Sequence, residues 1–224
     1  MKSRPIIFSA PMVLALLAGT KTQTRRAIKD QTIGERFCEM RPEGVYLEWL
    51  GTPCCGTGVW DVPEYSGMAK VPYGVVGDQL WVRELHAIGS DGRGEKIMSS
   101  PLAGAPENHM WGSTFSKNPA APEGSERWCL QWKRTSPMFM PRWASRITLE
   151  LTEVRVERLQ DISEADCIAE GIERSGECNW RDYADKHNDF TSARRSYRSL
   201  WESINGPGSW AANPWLWCLS FKRV

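Results

Sequence analysis

Residues 20–26, TKTQTRR, bring an amine, three hydroxyls and two guanidinium groups together. Donors of this kind stabilise an oxyanion or hold a phosphate. Lys21 can act as a base only when it is neutral, and burial beside Arg25 and Arg26 would lower its pKa towards that state. As an ammonium it would instead stabilise an oxyanion, while a carboxylate elsewhere activates water. The alternatives are a solvated basic run, with Thr22 and Thr24 as ordinary strand residues.

A helix must deliver this segment, and the apolar run of residues 6–18 predicts a short one after Ser9. Ser9 is placed to cap it, Pro11 suits its first turn, and Gly19 can end it in the left-handed conformation. The competing interpretation is a secretion signal, because Lys2 precedes a mostly apolar run. Pro11 inside that run, and basic residues directly after it, favour the helix.

Further along the chain, residues 77–84, GDQLWVRE, predict a turn and then a strand. Residues 146–156 alternate between apolar and polar, with a change of parity near Thr152-Glu153 that indicates a bulge. We expect Glu84 to form a cross-strand ion pair, whereas Arg83 is a candidate pocket residue. Residues 215–221 predict a closing strand.

Two helices are predicted in the last third of the chain. Ser163 and Asp166 form a capping box, and the buried stripe is expected to be Ala165, Ile168, Ala169 and Ile172. Residues 191–205 predict the second helix, which Gly206-Pro207 ends. Its buried side is expected to hold Ala193, Tyr197, Leu200, Trp201 and Ile204.

Residues 31–67 and 86–126 are rich in Gly, Pro, Ser and other loop formers, so we expect two long insertions, the second of a kind that serves as a lid. With strands at both ends and helices between them, the chain predicts an α+β fold. We expect one domain over 1–224, a small mixed β-barrel with peripheral helices.

Residues 127–146 mix cations with aromatic rings and contain no acidic residue. This combination suits single-stranded RNA or DNA, with cations for phosphates and rings for bases. The nucleic-acid-binding candidates are Arg127, Lys133, Arg134, Arg142 and Arg146. The alternative is a β-hairpin whose aromatic residues belong to the core and whose basic residues are solvated.

Composition limits the partners. The net charge is +1, so any attraction to nucleic acid must be local, and no apolar stretch is long enough for a membrane span. The chain has seven cysteines and no C-x-x-C pair, which favours reduced thiols in a cytoplasm. Cys38 with Cys54-Cys55 is a weak zinc candidate. We expect no metal, no cofactor and no membrane partner.

Four segments together carry a resemblance: GTKTQTRR at 19–26, GDQLWVRE at 77–84, LQDISEADCIAEGI at 159–172, and the final SFKRV. In this order they resemble the ASCH domain family, whose fold is a PUA-like β-barrel. The G-x-K-x-x-x-R loop of that family is matched by Gly19, Lys21 and Arg25. The long insertions make the chain similar to prophage-encoded members.

The resemblance implies a function on nucleosides or RNA. Some small bacterial members are amidohydrolases that remove the acetyl group from N(4)-acetylcytidine, and their catalytic Lys, Thr and Glu correspond to Lys21, Thr24 and Glu170. Glu164 is the rival carboxylate. The candidate substrate-binding residues are Thr22, Arg25, Arg26, Trp81, Arg83 and Trp143. Other members bind RNA or DNA, and some are ribonucleases, so a non-catalytic binding module and a nuclease are the alternatives.

A geometric condition accompanies this assignment. Side chains alternate along a strand, so Lys21 and Thr24 would point to opposite faces of a straight one. If both line one pocket, residues 20–24 must be bent.

Overall fold

The structure is a computed structural model. It describes residues 1–29, 31, 37–38, 48–49, 71–90, 96–103, 116–117, 131–184 and 189–224. The helices are α1 (Ala10–Leu17), α2 (Glu164–Ala169) and α3 (Ala193–Asn205), and short 3-10 turns lie at Pro137–Phe139, Arg142–Ala144 and Leu159–Asp161. The strands are β1 (Ser3–Ile7), β2 (Gln23–Ala27), β3 (Phe37–Cys38), β4 (Glu48–Trp49), β5 (Gln79–Arg83), β6 (His86–Ser90), β7 (Lys96–Pro101), β8 (Ser116–Lys117), β9 (Gln131–Thr135), β10 (Thr148–Arg158), β11 (Arg174–Ser175), β12 (Asn179–Arg181), β13 (Asp189–Phe190) and β14 (Trp215–Arg223).

The chain divides into two compact units. The first unit contains Met1–Thr20, Asp78–Glu150 and Lys222–Val224, and the second contains Lys21–Gly77 and Leu151–Phe221. Strand β10 runs continuously from the first unit into the second. Helices and strands are mixed along the chain, so the protein has a mixed α+β fold, as its sequence predicts.

In the first unit the strand order is β1-β5-β10, with β1 parallel and β10 antiparallel to β5. Three consecutive residues of β5, from Leu80 to Val82, are buried, and so is Leu149 of β10, which pairs with Leu80. A second sheet has the order β8-β7-β6-β9. These sheets are open, so the described residues of this unit show no closed barrel.

In the second unit the order is β10-β14-β2, again open, and β11-β12-β13 and β3-β4 form small separate sheets. Strand β14 pairs antiparallel with β2, with Leu219 opposite Thr24. The predicted closing strand is confirmed, but four consecutive residues, from Leu216 to Leu219, are buried. Both faces of β14 are therefore covered, which its alternating pattern does not indicate.

The core of the second unit is built from β14, α3 and the segment around α2. It contains Leu159, Ile162, Cys167, Ile172, Trp180, Ala193, Tyr197, Trp201, Trp210, Leu216 and Cys218. Helix α3 begins two residues after the predicted start at 191, behind the Ser192 cap, whose side chain accepts a hydrogen bond from the Arg195 N–H. It ends, as predicted, before Gly206. Its predicted stripe is wrong at its last turn, because Ile204 is 60% exposed.

Helices α1 and α2 follow their sequence patterns in part. Helix α1 is confirmed, and Gly19 follows it with a φ of +75°, although the Ser9 side chain makes no capping hydrogen bond. Helix α2 has the predicted Ser163 cap, but its predicted stripe is wrong at Ala165 and Ile168, which are exposed. The buried residues at the C-terminal end of α2 are Cys167 and Glu170. A carboxylate therefore faces inward there.

Strand β10 shows the predicted change of parity. Leu149 and Leu151 are buried, two exposed residues follow, and Val154 is buried again. The expectation of a structureless segment after His86 is wrong where the structure describes it, since β6 and β7 form an antiparallel pair. The two strands are short, so the loop-forming residues between and after them dominate the composition. Within the described residues no helix is long and apolar enough to cross a membrane.

Candidate functional site

Lys21 lies directly before β2, and the backbone at Thr22 fixes its position. The Thr22 N–H donates to the Ala169 carbonyl at 2.8 Å, and the Thr22 carbonyl accepts from the Phe221 N–H at 2.9 Å. These bonds attach the segment to the end of α2 on one side and to β14 on the other. Residues 20–22 precede the strand, whereas Thr24 belongs to it.

The Lys21 amine is buried, and its side chain is 0% exposed. Nζ donates to Glu170 Oε2 at 2.8 Å, to the Glu170 carbonyl at 2.7 Å and to the Gln23 carbonyl at 2.9 Å. Three acceptors match the three N–H groups of an ammonium. Burial lowers the pKa of Lys21, as do the nearby charges of Arg26 and Arg25, while Glu170 opposes the shift by its charge and its hydrogen bond. The net pKa lies below its ordinary value.

Glu170 caps the C-terminal end of α2 and is 4% exposed. Its Oε2 is engaged by Lys21, but its Oε1 has no hydrogen-bond partner among the described residues and lies 3.6 Å from Arg25 Nη1. A buried carboxylate oxygen without a donor is costly, and Oε1 keeps an unused acceptor position.

The rival carboxylate lies elsewhere. Glu164 is exposed and accepts from the Ser192 hydroxyl at 2.6 Å and from the Arg194 N–H at 3.2 Å. Through these contacts Glu164, a residue of α2, binds the N-terminal end of α3. Of the two carboxylates that the sequence leaves open, Glu170 is the one that contacts Lys21.

Arg25 ties Glu170 to a larger group of ions. Its buried guanidinium lies 3.1 Å from Glu157 Oε2 and 3.2 Å from Asp166 Oδ2, and it also donates to the Gln23 side chain. Arg155 completes the group with contacts to Asp166 at 3.1 Å and to Glu157. Every cation in this cluster therefore faces at least one carboxylate.

Other predicted site residues of this unit are placed differently. Thr24 is buried, and alternation along β2 points it away from the face of Gln23 and Arg25. Its hydroxyl has no hydrogen bond among the described residues. Thr22 is exposed, and Arg26 is half-buried. The structure thus brings Lys21, Arg25 and Glu170 together, whereas the Thr24 side chain makes no hydrogen bond to them.

The first unit holds the remaining substrate-binding candidates. Trp81 is 7% exposed, and two guanidinium groups cover its ring: Cζ of Arg83 lies 4.6 Å and Cζ of Arg142 lies 5.9 Å from the ring centroid. A base cannot stack on a ring that is already covered. Trp143 is half-buried.

The basic candidates of residues 127–146 have different surroundings. Arg146 contacts the buried Glu84 through two hydrogen bonds of 2.8 and 2.9 Å. Glu84 thus forms an ion pair as expected, but both residues lie just outside the strands, so the pair is not a cross-strand one. Lys133 and Arg134 are exposed. Arg127 lies outside the described residues.

Thiol and metal chemistry find little support in the part of the chain that the structure describes. Burial raises the pKa of the Cys167 thiol to about 12, so this thiol stays neutral. No group of His, Cys, Asp and Glu side chains in the described ranges could hold a metal ion. Cys54-Cys55 lies outside those ranges, and the side chain of Cys38 is not described.

Sequence reasoning missed the acidic half of the ion cluster. Glu157 and Asp166 were not singled out as site residues, although Glu153, Arg155 and Glu157 alternate on one face of β10. Charges at every second position of a strand were the available signal. Their partner Arg25 lies more than a hundred residues earlier, so the signal does not identify what they bind.

Comparisons with protein-family models, with curated proteins and with solved structures found no match for this chain.

Proposed function

We propose that the protein is an ASCH-like, PUA-related member of the nucleoside- and RNA-handling proteins, and that it hydrolyses the amide of N(4)-acylated cytidine. The observation that supports this proposal is the buried contact of 2.8 Å between Lys21 Nζ and Glu170 Oε2. These two residues are 149 positions apart, and both belong to segments that resemble the family.

In the proposed reaction Glu170 Oε1 takes a proton from a water molecule, whose oxygen attacks the acyl carbon. The carbonyl oxygen becomes an oxyanion, and Lys21 turns one of its three N–H groups from a protein acceptor to that oxygen. Glu170 then returns the proton to the departing N4 amine. The acyl C–N bond breaks, and cytidine and a carboxylic acid are released.

Arg25 orients Glu170 in this scheme. Its Nη1 lies 3.6 Å from Oε1, while Glu157 and Asp166 hold the guanidinium from the other side. The positive charge of Arg25 therefore holds the Glu170 carboxylate in position.

Water, rather than the Thr24 hydroxyl, is the nucleophile in this proposal. Thr24 faces away from Gln23 and Arg25 on β2, whereas Oε1 of Glu170 has no donor among the described residues. Thr22 and Arg26, which are exposed and half-buried, remain the candidates for contacting the substrate.

The test is the conversion of N(4)-acetylcytidine to cytidine, followed by chromatography. We expect Glu170→Gln to lower kcat by about 10²- to 10⁴-fold, since it removes the base. Glu164→Gln is the matched control, because this carboxylate is exposed and contacts α3 instead. No product from the wild type at high enzyme concentration, or full activity in Lys21→Ala, would remove the proposal.

A second candidate is a nucleic-acid-binding module without turnover. The specific observation in its favour is that Lys133, Arg134 and Arg142 are exposed and have no ion pair among the described residues. A steep fall of single-stranded RNA affinity with salt, without any cytidine production, would support it.

A further inference from the structure

We propose that Arg83 and Arg142, both held against Trp81, form a binding site for the phosphate groups of a single RNA strand. Trp81 is the platform of this site rather than a ring on which a base stacks. The inference goes beyond the proposed hydrolysis and concerns the first unit alone.

Trp81 is a rigid platform because of its position in the sheet. It lies in β5, between β1 and β10, with Pro5 and Thr148 as its neighbours on the two sides. A ring that is 7% exposed and lies on a central strand has little freedom to move. The groups that contact it are therefore held at defined positions.

Both arginines are held at this platform. Arg83 follows two residues later on β5 and so points to the same face, with its Cζ 4.6 Å from the ring centroid. Arg142 comes from the Arg142–Ala144 turn and reaches the same ring at 5.9 Å. Both distances fall within the ~6 Å range of a cation–π contact.

Neither arginine has a carboxylate partner among the described residues. Other arginines of the unit do: Arg4 lies 3.9 Å from Asp78, and Arg146 lies 2.8 Å from Glu84. In addition, Nε of Arg83 is buried and has no hydrogen-bond acceptor in the part of the chain that the structure describes. Two cations on one ring repel each other. A bound anion would reduce this repulsion and would accept hydrogen bonds from N–H groups that have no other acceptor.

The chemistry of the two groups favours phosphate. A guanidinium presents a planar fork of donors that matches two phosphate oxygens. Two forks can contact one phosphate or two successive phosphates of a strand. Because the Trp81 ring is covered, the site is expected to contact the phosphates of the RNA and not its bases. Its affinity should therefore depend little on the RNA sequence.

The experiment measures the binding of a fluorescently labelled, single-stranded RNA oligonucleotide by anisotropy over a series of salt concentrations. We compare the wild type with Arg83→Gln, Arg142→Gln and the double variant. The matched control is Arg195→Gln, an exposed arginine of α3 whose side chain has no hydrogen bond, ion pair or ring contact among the described residues. Inorganic phosphate, cytidine monophosphate and cytidine serve as competitors.

We expect the double variant to bind RNA at least about tenfold more weakly, because two charge-assisted contacts are lost. The slope of log affinity against log salt should decrease by about 0.7 for each arginine removed. Cytidine monophosphate should compete and cytidine should not. If inorganic phosphate competes as well as RNA does, the site binds free phosphate, and the assignment to an RNA strand is overturned.

Other outcomes would also overturn the proposal: a wild type that does not bind RNA, a double variant with unchanged affinity and slope, or an equal loss in Arg195→Gln. Arg142 is exposed, so Arg142→Gln keeps the test valid if Arg83→Gln fails to fold. Cytidine production from N(4)-acetylcytidine is measured separately, so a failure of the hydrolysis proposal is distinguishable from a failure of this one.

Discussion

Two groups of cations, one in each unit of the chain, have different partners. In the second unit Lys21, Arg25 and Arg155 each contact at least one carboxylate, and the first two have fully buried side chains. In the first unit Arg83 and Arg142 contact a tryptophan ring and have no carboxylate among the described residues. The first arrangement is internally neutralised, whereas the second keeps its charge for something outside the unit.

The comparison shows why a count of basic residues is a poor guide to binding. A buried ion pair has lost its hydration and depends on its partner, so removing one member leaves the other uncompensated. An arginine without a carboxylate makes no such demand, and its removal should cost little stability. Stability and ligand affinity should therefore respond to different substitutions.

The largest effect is expected for Lys21→Met. Glu170 would stay buried with only the more distant Arg25 as a cation, and we expect the free energy of unfolding to fall by about 3–5 kcal/mol. Urea unfolding followed by circular dichroism measures this change.

A double-mutant cycle sharpens the result. We expect the double variant, Lys21→Met with Glu170→Leu, to be less destabilised than the sum of the two single variants. Each single variant leaves one buried charge without its partner, whereas the double variant removes both charges. Strict additivity would mean that the contact between Lys21 and Glu170 contributes nothing.

A smaller effect is expected for Arg146→Met in the first unit. It leaves Glu84, which is 1% exposed, without its two charge-assisted hydrogen bonds, so stability should fall by about 1.5–3 kcal/mol. RNA affinity should not change, because Arg146 is already paired. Arg142→Gln should show the opposite behaviour, with unchanged thermal stability and weaker RNA binding, and the opposite ranking in either assay would refute the contrast.

The acidic half of the cluster predicts a response to pH. Burial alone would raise the pKa of Glu157, but the hydrogen bond and charge of Arg155, with the charge of Arg25, lower it below its ordinary 4.5. Burial would likewise raise the pKa of Asp166, but the Ser163 hydrogen bond and the two arginines lower it below 3.8. Stability from these groups is complete above their ordinary pKa values and is lost as the pH falls through the lowered ones.

We therefore expect the unfolding free energy of the wild type to decrease as the pH falls below about 4.5, and that of Glu157→Gln with Asp166→Asn to change less. Equilibrium urea unfolding between pH 6 and pH 3 — each end chosen as about 1.5 units from that threshold — measures the difference. Parallel curves for the two proteins would contradict the pKa assignment.

The smallest effect is expected for Thr24→Val. The hydroxyl has no hydrogen bond among the described residues and the two side chains have nearly the same shape, so stability should change by less than about 0.5 kcal/mol. Under the proposed mechanism kcat should also stay close to that of the wild type. A loss as large as that in Glu170→Gln would make Thr24 the nucleophile and remove water from that role.

Local patterns were predictable from the sequence. The end of α1 at Gly19 and the Ser163 cap of α2 depend on neighbouring residues, and both are confirmed. The choice between Glu164 and Glu170 was not predictable, because it depends on which side of α2 meets a segment about 150 residues away. Ile168, which the sequence pattern assigns to the buried stripe of α2, is instead 44% exposed.

The covering of Trp81 was not predictable either. Sequence alone indicates an aromatic residue near basic ones, which is equally consistent with a free ring and a base. Arg142 is 61 positions away from Trp81, and only the fold brings its guanidinium to the same ring. Pairings of distant residues decide whether a cation is neutralised or available, and no local pattern encodes them.

The backbone bonds of Thr22 have a consequence for how the protein can vary. Its side chain points to solvent, so almost any residue fits there, yet its N–H and carbonyl are both committed to neighbouring elements. Proline is the one substitution that deletes the N–H. The position of Lys21 thus depends on a neighbour whose side chain can vary widely but whose backbone conformation and hydrogen bonds must be kept.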